Sequence, residues 1–381
     1  MTATNFGNSM PHRSTKPNPQ PLDSAATVAG ALVKWFRENA RDLPWRRTVD
    51  PYAIWISEVM LQQTQVKTVL PFWERWMREL PTVDALASLP EARLLKLWEG
   101  LGYYSRVRNL QKSAREIVAN FQGHFPSDPK LIRELPGIGR YTAGAIASIA
   151  FGQPQPLLDG NVVRVLTRLH GIPDNAREKR TTDHLWQLAT GLVTAAAMLQ
   201  PERHQGARLS AGPCSDLNQS LMELGATVCL PTNPGCLLCP IRQHCVAAAQ
   251  GLTDRIPNLG KRVAATKRRF VAFVARANDR ILVRQRPQGV VNAGLWEFPN
   301  VEIGPDESIT SPMIGFTFES ADKPLVTIRH SITRYRITLD VFHATLEDVV
   351  PSQQAGEWIS KADLHSLAFS SAHAKIRSKI A

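Results

Sequence analysis

Two carboxylates in this chain of 381 residues have neighbours unlike those of a solvated surface. Glu58 lies in "WISEVMLQQTQV" and is the only charge between Pro51 and Lys67. Read as one helix through "PYAIWISEVMLQQTQVKTVLPFWERW", Glu58, Gln62 and Gln65 fall at i, i+4 and i+7. They form a polar stripe beside the apolar one of Val59, Val66, Leu70 and Trp73. A solvated helix face usually alternates Glu with Lys or Arg, so this stripe has the composition of a cleft wall. Asp159, in "LDGNVVRV", has two readings. Asp before a helix is an ordinary N-cap, yet Asn161 can cap as well, which leaves Asp159 available for chemistry. Composition does not decide between cap and active-site group.

Four of the five cysteines fall between 229 and 245, with the spacing Cys229-x6-Cys236-x2-Cys239-x5-Cys245, and Cys214 stands apart. A disulfide framework would not be so clustered in a chain this long. Four thiolates in one short loop, stiffened by Pro231, Pro234 and Pro240, can close around one soft centre. Structural zinc usually takes two separated close pairs, and here only one pair is close. Iron–sulfur clusters also take four cysteines. Ligand type alone leaves both open, in a reducing compartment and with a structural role.

A third feature is "LPGIGRYTAG". Gly137 and Gly139 would supply the positive φ that a turn between two helices needs, and the turn exposes backbone N–H groups at the start of the next helix. Such a terminus attracts anions, DNA phosphate among them. Composition points the same way. Lys plus Arg is 45 against 33 for Asp plus Glu, a net charge of +12, which favours a polyanionic partner.

These residues need a scaffold, and the sequence divides into one. Residues 1–22 lack the apolar stretch of a secretory signal and read as a disordered leader. Residues 23–228 read as helices punctuated by Pro and Gly, followed by the cysteine loop at 229–250. Residues 251–268 are polar, basic and irregular, and read as a linker. Residues 269–381 read as a mixed α and β domain. In it "FVAFVARANDRILVRQRP" gives two strands around a turn, "PLVTIRHSITRYRITLDVFHATL" is strand-rich, and "ADLHSLAFSSAHAKIRSKI" is a terminal helix. No apolar run is long enough to span a membrane.

Taken together, "LPWR", "SEVMLQQTQV", "GLGYYSRVRNL", "LPGIGRYTAG", "LDGNVVRV", "LNQSLMELGATVC" and the cysteine loop resemble the helix-hairpin-helix DNA glycosylase superfamily. Within it they are most similar to the adenine DNA glycosylase (MutY) family. The resemblance covers roughly 24–250, and the remainder, through "GLWEFP", resembles a Nudix domain. It implies a multi-domain chain: an all-α glycosylase domain with a [4Fe-4S] loop on Cys229, Cys236, Cys239 and Cys245, and a C-terminal α+β Nudix-like domain. It implies double-stranded DNA with A:8-oxoguanine or A:G mismatches as partner, a monomer, and, for a bacterial chain, a cytoplasmic place on the nucleoid. Glycosylase/lyase relatives carry a lysine nucleophile after the G-x-G-R turn. Here that position is Tyr141, which cannot form a Schiff base, so a monofunctional enzyme is expected.

The resemblance also assigns roles. Breaking the C1′–N9 bond of adenine needs an acid for the leaving base and a stabiliser for the positive sugar. Glu58 matches the acid toward adenine N7, and Asp159 the group facing the oxocarbenium ion. Tyr141 and Asn161 match positions that order those two. Gln63 and Tyr103 match residues that wedge into the duplex, with Leu61, Leu101 and Gly102 beside them. Trp45, Arg46 and Gln219 match positions around the extruded base, and Gly137 and Gly139 those that meet phosphate. The second domain would read 8-oxoguanine without a Nudix metal site, since no Arg-Glu-x-x-Glu-Glu run follows "GLWEFPNVEIGPDESITSPM". The family's Phe-Ser-His lesion loop is replaced by Ile332, Thr333 and Arg334, of which Thr333 keeps a hydroxyl. The rival readings are a thymine or uracil mismatch glycosylase and a non-catalytic damage sensor.

Overall fold

The computed structural model describes residues 22–200, 209–261, 264–304, 323–332, 334–344 and 356–380. The expected leader therefore lies almost wholly outside the described residues. The helical part runs through α1 (Leu22–Asn39), α2 (Pro51–Leu61), α3 (Val66–Glu79), α4 (Val83–Ser88), α5 (Glu91–Leu97) and α6 (Ser105–Phe121). It continues through α7 (Pro129–Glu134), α8 (Arg140–Ile149), α9 (Gly160–His170), α10 (Lys179–Ala197), α11 (Pro213–Thr227) and the single-turn α12 (Val246–Ala249). Among these no helix is long and apolar enough to cross a membrane.

α2 is the keystone of this part. Asp50 caps it by accepting from the amides of Tyr52 and Ala53, and Pro51 opens it where no N–H is needed. Every residue from Tyr52 to Met60 is buried, Ser57 and Glu58 included, so the helix is enclosed on all sides. Trp55, Ile56, Val59 and Met60 enter one core with Trp73, Trp76 and Trp98, while Ile54 enters a second core built on α1, α9, α10 and α11. Glu58 is thus carried between two hydrophobic masses.

The single helix expected across 51–76 is broken. α2 stops at Leu61, Gln63 takes a left-handed φ of 57°, and Gln65 caps α3. The cause is Arg106, whose guanidinium donates to the carbonyls of Val59, Met60 and Gln62 and so satisfies acceptors that another helical turn would have used.

The C-terminal domain holds a mixed sheet of β1 (Thr266–Ala277), β2 (Arg280–Gln285), β3 (Trp296–Glu297), β4 (Asn300–Ile303), β5 (Val326–Ile332), β6 (Tyr335–Ala344) and β7 (Glu357–Ser360). The order is β3-β2-β1-β6-β5, with β4 also on β1 and β7 on β2. β1 and β6 run parallel from Thr266↔Tyr335 to Ala275↔Ala344, and the other pairings are antiparallel. Alternation along β1 sends Ala272 and Val274 to one face, where α13 (Ser371–Ile380) packs through Ala372 and Ile376. Val271, Phe273 and Ala275 go to the other face. The terminal helix is shorter than expected, because Asp363–His365 forms a separate 3-10 turn ahead of it. Residues 251–258 follow the glycosylase core: Arg168 holds the carbonyls of Thr253 and Ile256, and the Ala176 amide donates to Asn258.

The two parts meet on the segment between α5 and α6. Glu99 accepts from the Phe369 amide at 2.9 Å and from both terminal nitrogens of Arg377 at 3.2 and 3.3 Å. Lys96 donates to the Leu367 carbonyl, and Arg108 to that of Ala293. Leu295 and Ala368 of the second domain are buried in the tryptophan-rich core of the first. Replacing Glu99 by Ala would take a partner from the Phe369 amide, Arg377 and Lys96 in a largely buried seam, at a cost of about 2 kcal/mol. Denaturant unfolding with limited proteolysis should show a lower midpoint and earlier release of the C-terminal domain.

Candidate active site and cysteine loop

One pocket of about 620 Å³ gathers most of the singled-out residues. α2 brings Glu58 and Leu61, α8 brings Tyr141, and the start of α9 brings Asp159 and Asn161. The 3-10 turn Pro44–Arg46 brings Trp45 and Arg46, α11 brings Gln219, and Gln62, Gln63 and Gln65 line the rim. The polar stripe is therefore a cleft wall, although a broken helix rather than a continuous one builds it.

Glu58 is 6 % exposed. Burial pushes its carboxyl up to about 7; the Tyr141 hydrogen bond and Arg46 pull against this, while the nearby Asp159 adds to it. Tyr141 donates its hydroxyl to Glu58 Oε2 at 2.6 Å, and Met222 Sδ lies 3.3 Å from the Tyr141 hydroxyl oxygen.

Asp159 is both cap and pocket carboxylate. Its Oδ1 accepts from the Val162 amide at 2.7 Å and caps α9. Its Oδ2 accepts from Asn161 Nδ2 at 2.9 Å. Asn161 therefore does not cap; it lies inside the first turn and serves Asp159. Its amide is fixed from behind, because Arg164 Nη2 donates to Asn161 Oδ1 at 2.9 Å. Burial raises the Asp159 carboxyl, and these N–H donors, with Arg164, hold the rise down. The seat also requires Gly225 of α11, where an added Cβ would stand 2.6 Å from the Asn161 Cβ.

The pocket contains a third acid, with a character opposite to that of Glu58. Burial alone would raise Glu223, but Arg41 bonds it at 2.8 Å through two nitrogens and Arg46 at 2.9 Å, and its carboxyl falls to about 2. This group fixes Arg46, which also donates to the Arg41 carbonyl and lies over the Phe36 ring. Trp45 packs edge-on to Trp73, and Gln219 Nε2 donates to Ser215 Oγ. Arg41, Met222 and Glu223 were not anticipated. For Glu223 a signal was present: Asp216, Gln219 and Glu223 fall at i, i+3 and i+7 in a helix with no basic residue, and all three are buried.

The remaining candidates lie elsewhere. Leu101 is buried, Gly102 has φ 70°, and Tyr103 is 42 % exposed with φ 50°. None of the three lines the pocket. Gly137 has φ 76°, and a Cβ there would meet Asn109 at 2.6 Å, so the hairpin turn requires glycine. Gly139 does not fit the positive-φ expectation: at φ −88° it is an extended N-cap that leaves the start of α8 unobstructed. Thr333 lies outside the described residues, as does the 305–322 segment in which the missing Nudix metal helix was sought.

Cys229, Cys236, Cys239 and Cys245 are free and half-buried. Among the described residues no group of three or more His, Cys, Asp or Glu side chains is arranged to hold a metal ion. The four thiols nevertheless share one electrostatic neighbourhood: burial, then the charges of Cys229, Cys245 and Cys236, push Cys239 up to about 11. Arg168, 2 % exposed, donates to Cys229 Sγ at 3.3 Å and to the carbonyls of Leu230 and Pro231. Four soft donors beside a buried cation suit a thiolate-bound centre, whose negative charge the cation would offset.

Residues 56–190 match the HhH-GPD superfamily of base excision DNA repair proteins, and residues 270–379 match the NUDIX domain. A solved thermostable thymine-DNA glycosylase aligns with a TM-score of 0.50 and 26 % identity, over 60 % of this chain and 98 % of its own. Fold and pocket thus define a helix-hairpin-helix DNA glycosylase joined to a Nudix-like domain. The adenine DNA glycosylase of Rattus norvegicus is 34 % identical over 91 % of this chain and 76 % of its own length. That of Homo sapiens is 33 % identical over 91 % and 72 %. The chain belongs to the adenine DNA glycosylase family.

A carboxyl held near 7 instead of its ordinary 4.5 destabilises the fold wherever it must ionise. The folded state binds the extra proton, so the penalty is absent below pH 4.5 and complete above about 7. Glu58→Gln should therefore raise stability by about 3 kcal/mol at pH 8 and by much less at pH 5, on a scale of about 1.4 kcal/mol per tenfold. Urea unfolding of both proteins at the two pH values measures this.

Proposed function

We propose that the enzyme is a monofunctional glycosylase that hydrolyses adenine from duplex DNA where it faces 8-oxoguanine or guanine, working as a monomer. The observation that carries this reading is the unequal pair in one pocket. Glu58 is poised to be protonated near neutral pH, and Asp159 is supplied with donors that favour its ionised form.

Adenine leaving as an anion is unfavourable at pH 7. Glu58 gives its proton to N7, the C1′–N9 electrons pass to the base, and neutral adenine departs. Asp159 faces the positive charge left at C1′; water then adds to C1′ and gives up a proton, which restores Glu58 and leaves an abasic site. The adenine must leave the stack to be reached, at a few kcal/mol. Gln63 and Tyr103 enter the duplex, and Trp45, Arg46 and Gln219 surround the extruded base. The helix start after Gly139 receives a phosphate. Tyr141 offers no amine, so no lyase step follows. Cys229, Cys236, Cys239 and Cys245 would hold a [4Fe-4S] cluster that shapes the loop. The second domain reads the base opposite, with Thr333 contributing a hydroxyl where the family loop carries Ser.

The test uses duplexes with A:8-oxoguanine, A:G and T:G, treated with alkali to reveal abasic sites. Strand breaks are expected from the adenine duplexes and only after alkali. Breaks from T:G alone would favour the thymine reading, and none from any duplex the sensor reading. The single-turnover rate should trace a bell. It falls above about pH 7 as Glu58 ionises and falls in acid as Asp159 protonates. Glu58→Gln should lose about 10²–10⁴-fold in rate while retaining duplex binding.

A further inference from the structure

Gln63 and Tyr103 sit on separate loops, the first after α2 and the second before α6. Both hold left-handed backbone, φ 57° and 50°, although neither is glycine. Such conformations persist only where surrounding contacts impose them. One side chain touches both loops. Arg106 Nη1 lies 2.8, 3.1 and 2.7 Å from the carbonyls of Val59, Met60 and Gln62. Its Nη2 lies 3.0 Å from those of Leu101 and Gly102. The guanidinium also lies over the Trp98 ring at 5.2 Å and the Tyr103 ring at 5.6 Å.

The arrangement is costly. Arg106 is 91 % buried by exposed surface, and burial lowers its guanidinium to about 10 with no carboxylate among the contributing groups. Neutral carbonyls and two aromatic rings compensate the charge. A buried cation is a poor way to gain stability, but a planar fork of donors in fixed directions is a good way to set two backbones relative to each other.

From this we infer that Arg106 is a positioning residue that holds Gln63 and Tyr103 as one rigid two-pronged wedge, so that base extrusion depends on it although it does not touch the base. The inference rests on the proposed wedge role of those two residues. A lysine at this position offers one compact ammonium, which cannot satisfy five carbonyls on two loops, and the prongs would then move independently.

The experiment places 2-aminopurine at the target adenine opposite 8-oxoguanine and follows its stopped-flow emission as the base leaves the stack. Single-turnover excision of adenine is followed in parallel across pH. Wild type, Arg106→Lys, Arg106→Gln and Tyr103→Ala are compared, with thermal melts for each. Both Arg106 variants should lose at least tenfold in the extrusion step and in excision rate, while the pH midpoints of the rate stay at their wild-type positions. Unchanged extrusion in the Arg106 variants, alongside a loss in Tyr103→Ala, overturns this inference and leaves the wedge standing. Unchanged extrusion in Tyr103→Ala overturns the wedge reading itself. Shifted pH midpoints, or failure of both Arg106 variants to fold, assign Arg106 to general stability and also overturn the inference.

Discussion

Two carboxyl groups in one water-poor cavity cannot both carry charge cheaply, and much of the helical domain is arranged around that constraint. Desolvation lifts both, and each opposes ionisation of the other. What separates them is the donor set. Glu58 receives one neutral hydroxyl, from Tyr141. Asp159 receives a backbone amide and a side-chain amide whose far end is anchored by a guanidinium. Glu58 therefore keeps its proton up to about 7, while the Asp159 donors oppose the rise that burial imposes on it, and the proposed acid and stabiliser roles rest on that difference.

Glu223 shows that the cavity does not dictate the outcome by itself. It lines the same pocket yet is held to about 2, because two arginines bond it directly. One residue type thus spans about 2 to about 7 within one cavity. The partners were supplied by different helices, α11 meeting the 41–46 segment in one case and α2 meeting α8 in the other. The same logic extends to the cysteine loop, where Arg168 brings fixed positive charge to a cluster of thiols.

Much of this was legible in the chain. Glu58 was conspicuous because no counter-charge accompanies it, and that reflects burial, which the structure bears out. The division into a helical domain and a mixed sheet followed from the change in periodicity, and the β1–β2 turn fell where "AND" placed it. Asp159 was framed as cap or active-site group; Oδ1 does cap α9, and capping does not remove the residue from the pocket, which it also lines while Oδ2 accepts from Asn161. What could not be read had distant causes. The break after Leu61 comes from Arg106, which lies 44 residues beyond Gln62. The docking of the two domains turns on Glu99 meeting a backbone amide 270 residues away. Gly137 and Gly139 were read alike, but only a structure distinguishes a glycine needed for its φ from one in extended backbone with open space around it.

The ionisation of Glu58 can be observed without any reaction. Carbon-13 NMR of protein labelled at the glutamate side-chain carboxyl, with Glu58→Gln used to assign the resonance, gives its midpoint in the free enzyme. A midpoint near 7 is expected from the burial and partners described here. A midpoint near the ordinary 4.5 would mean that Glu58 is ionised at neutral pH, and it could not then be the acid.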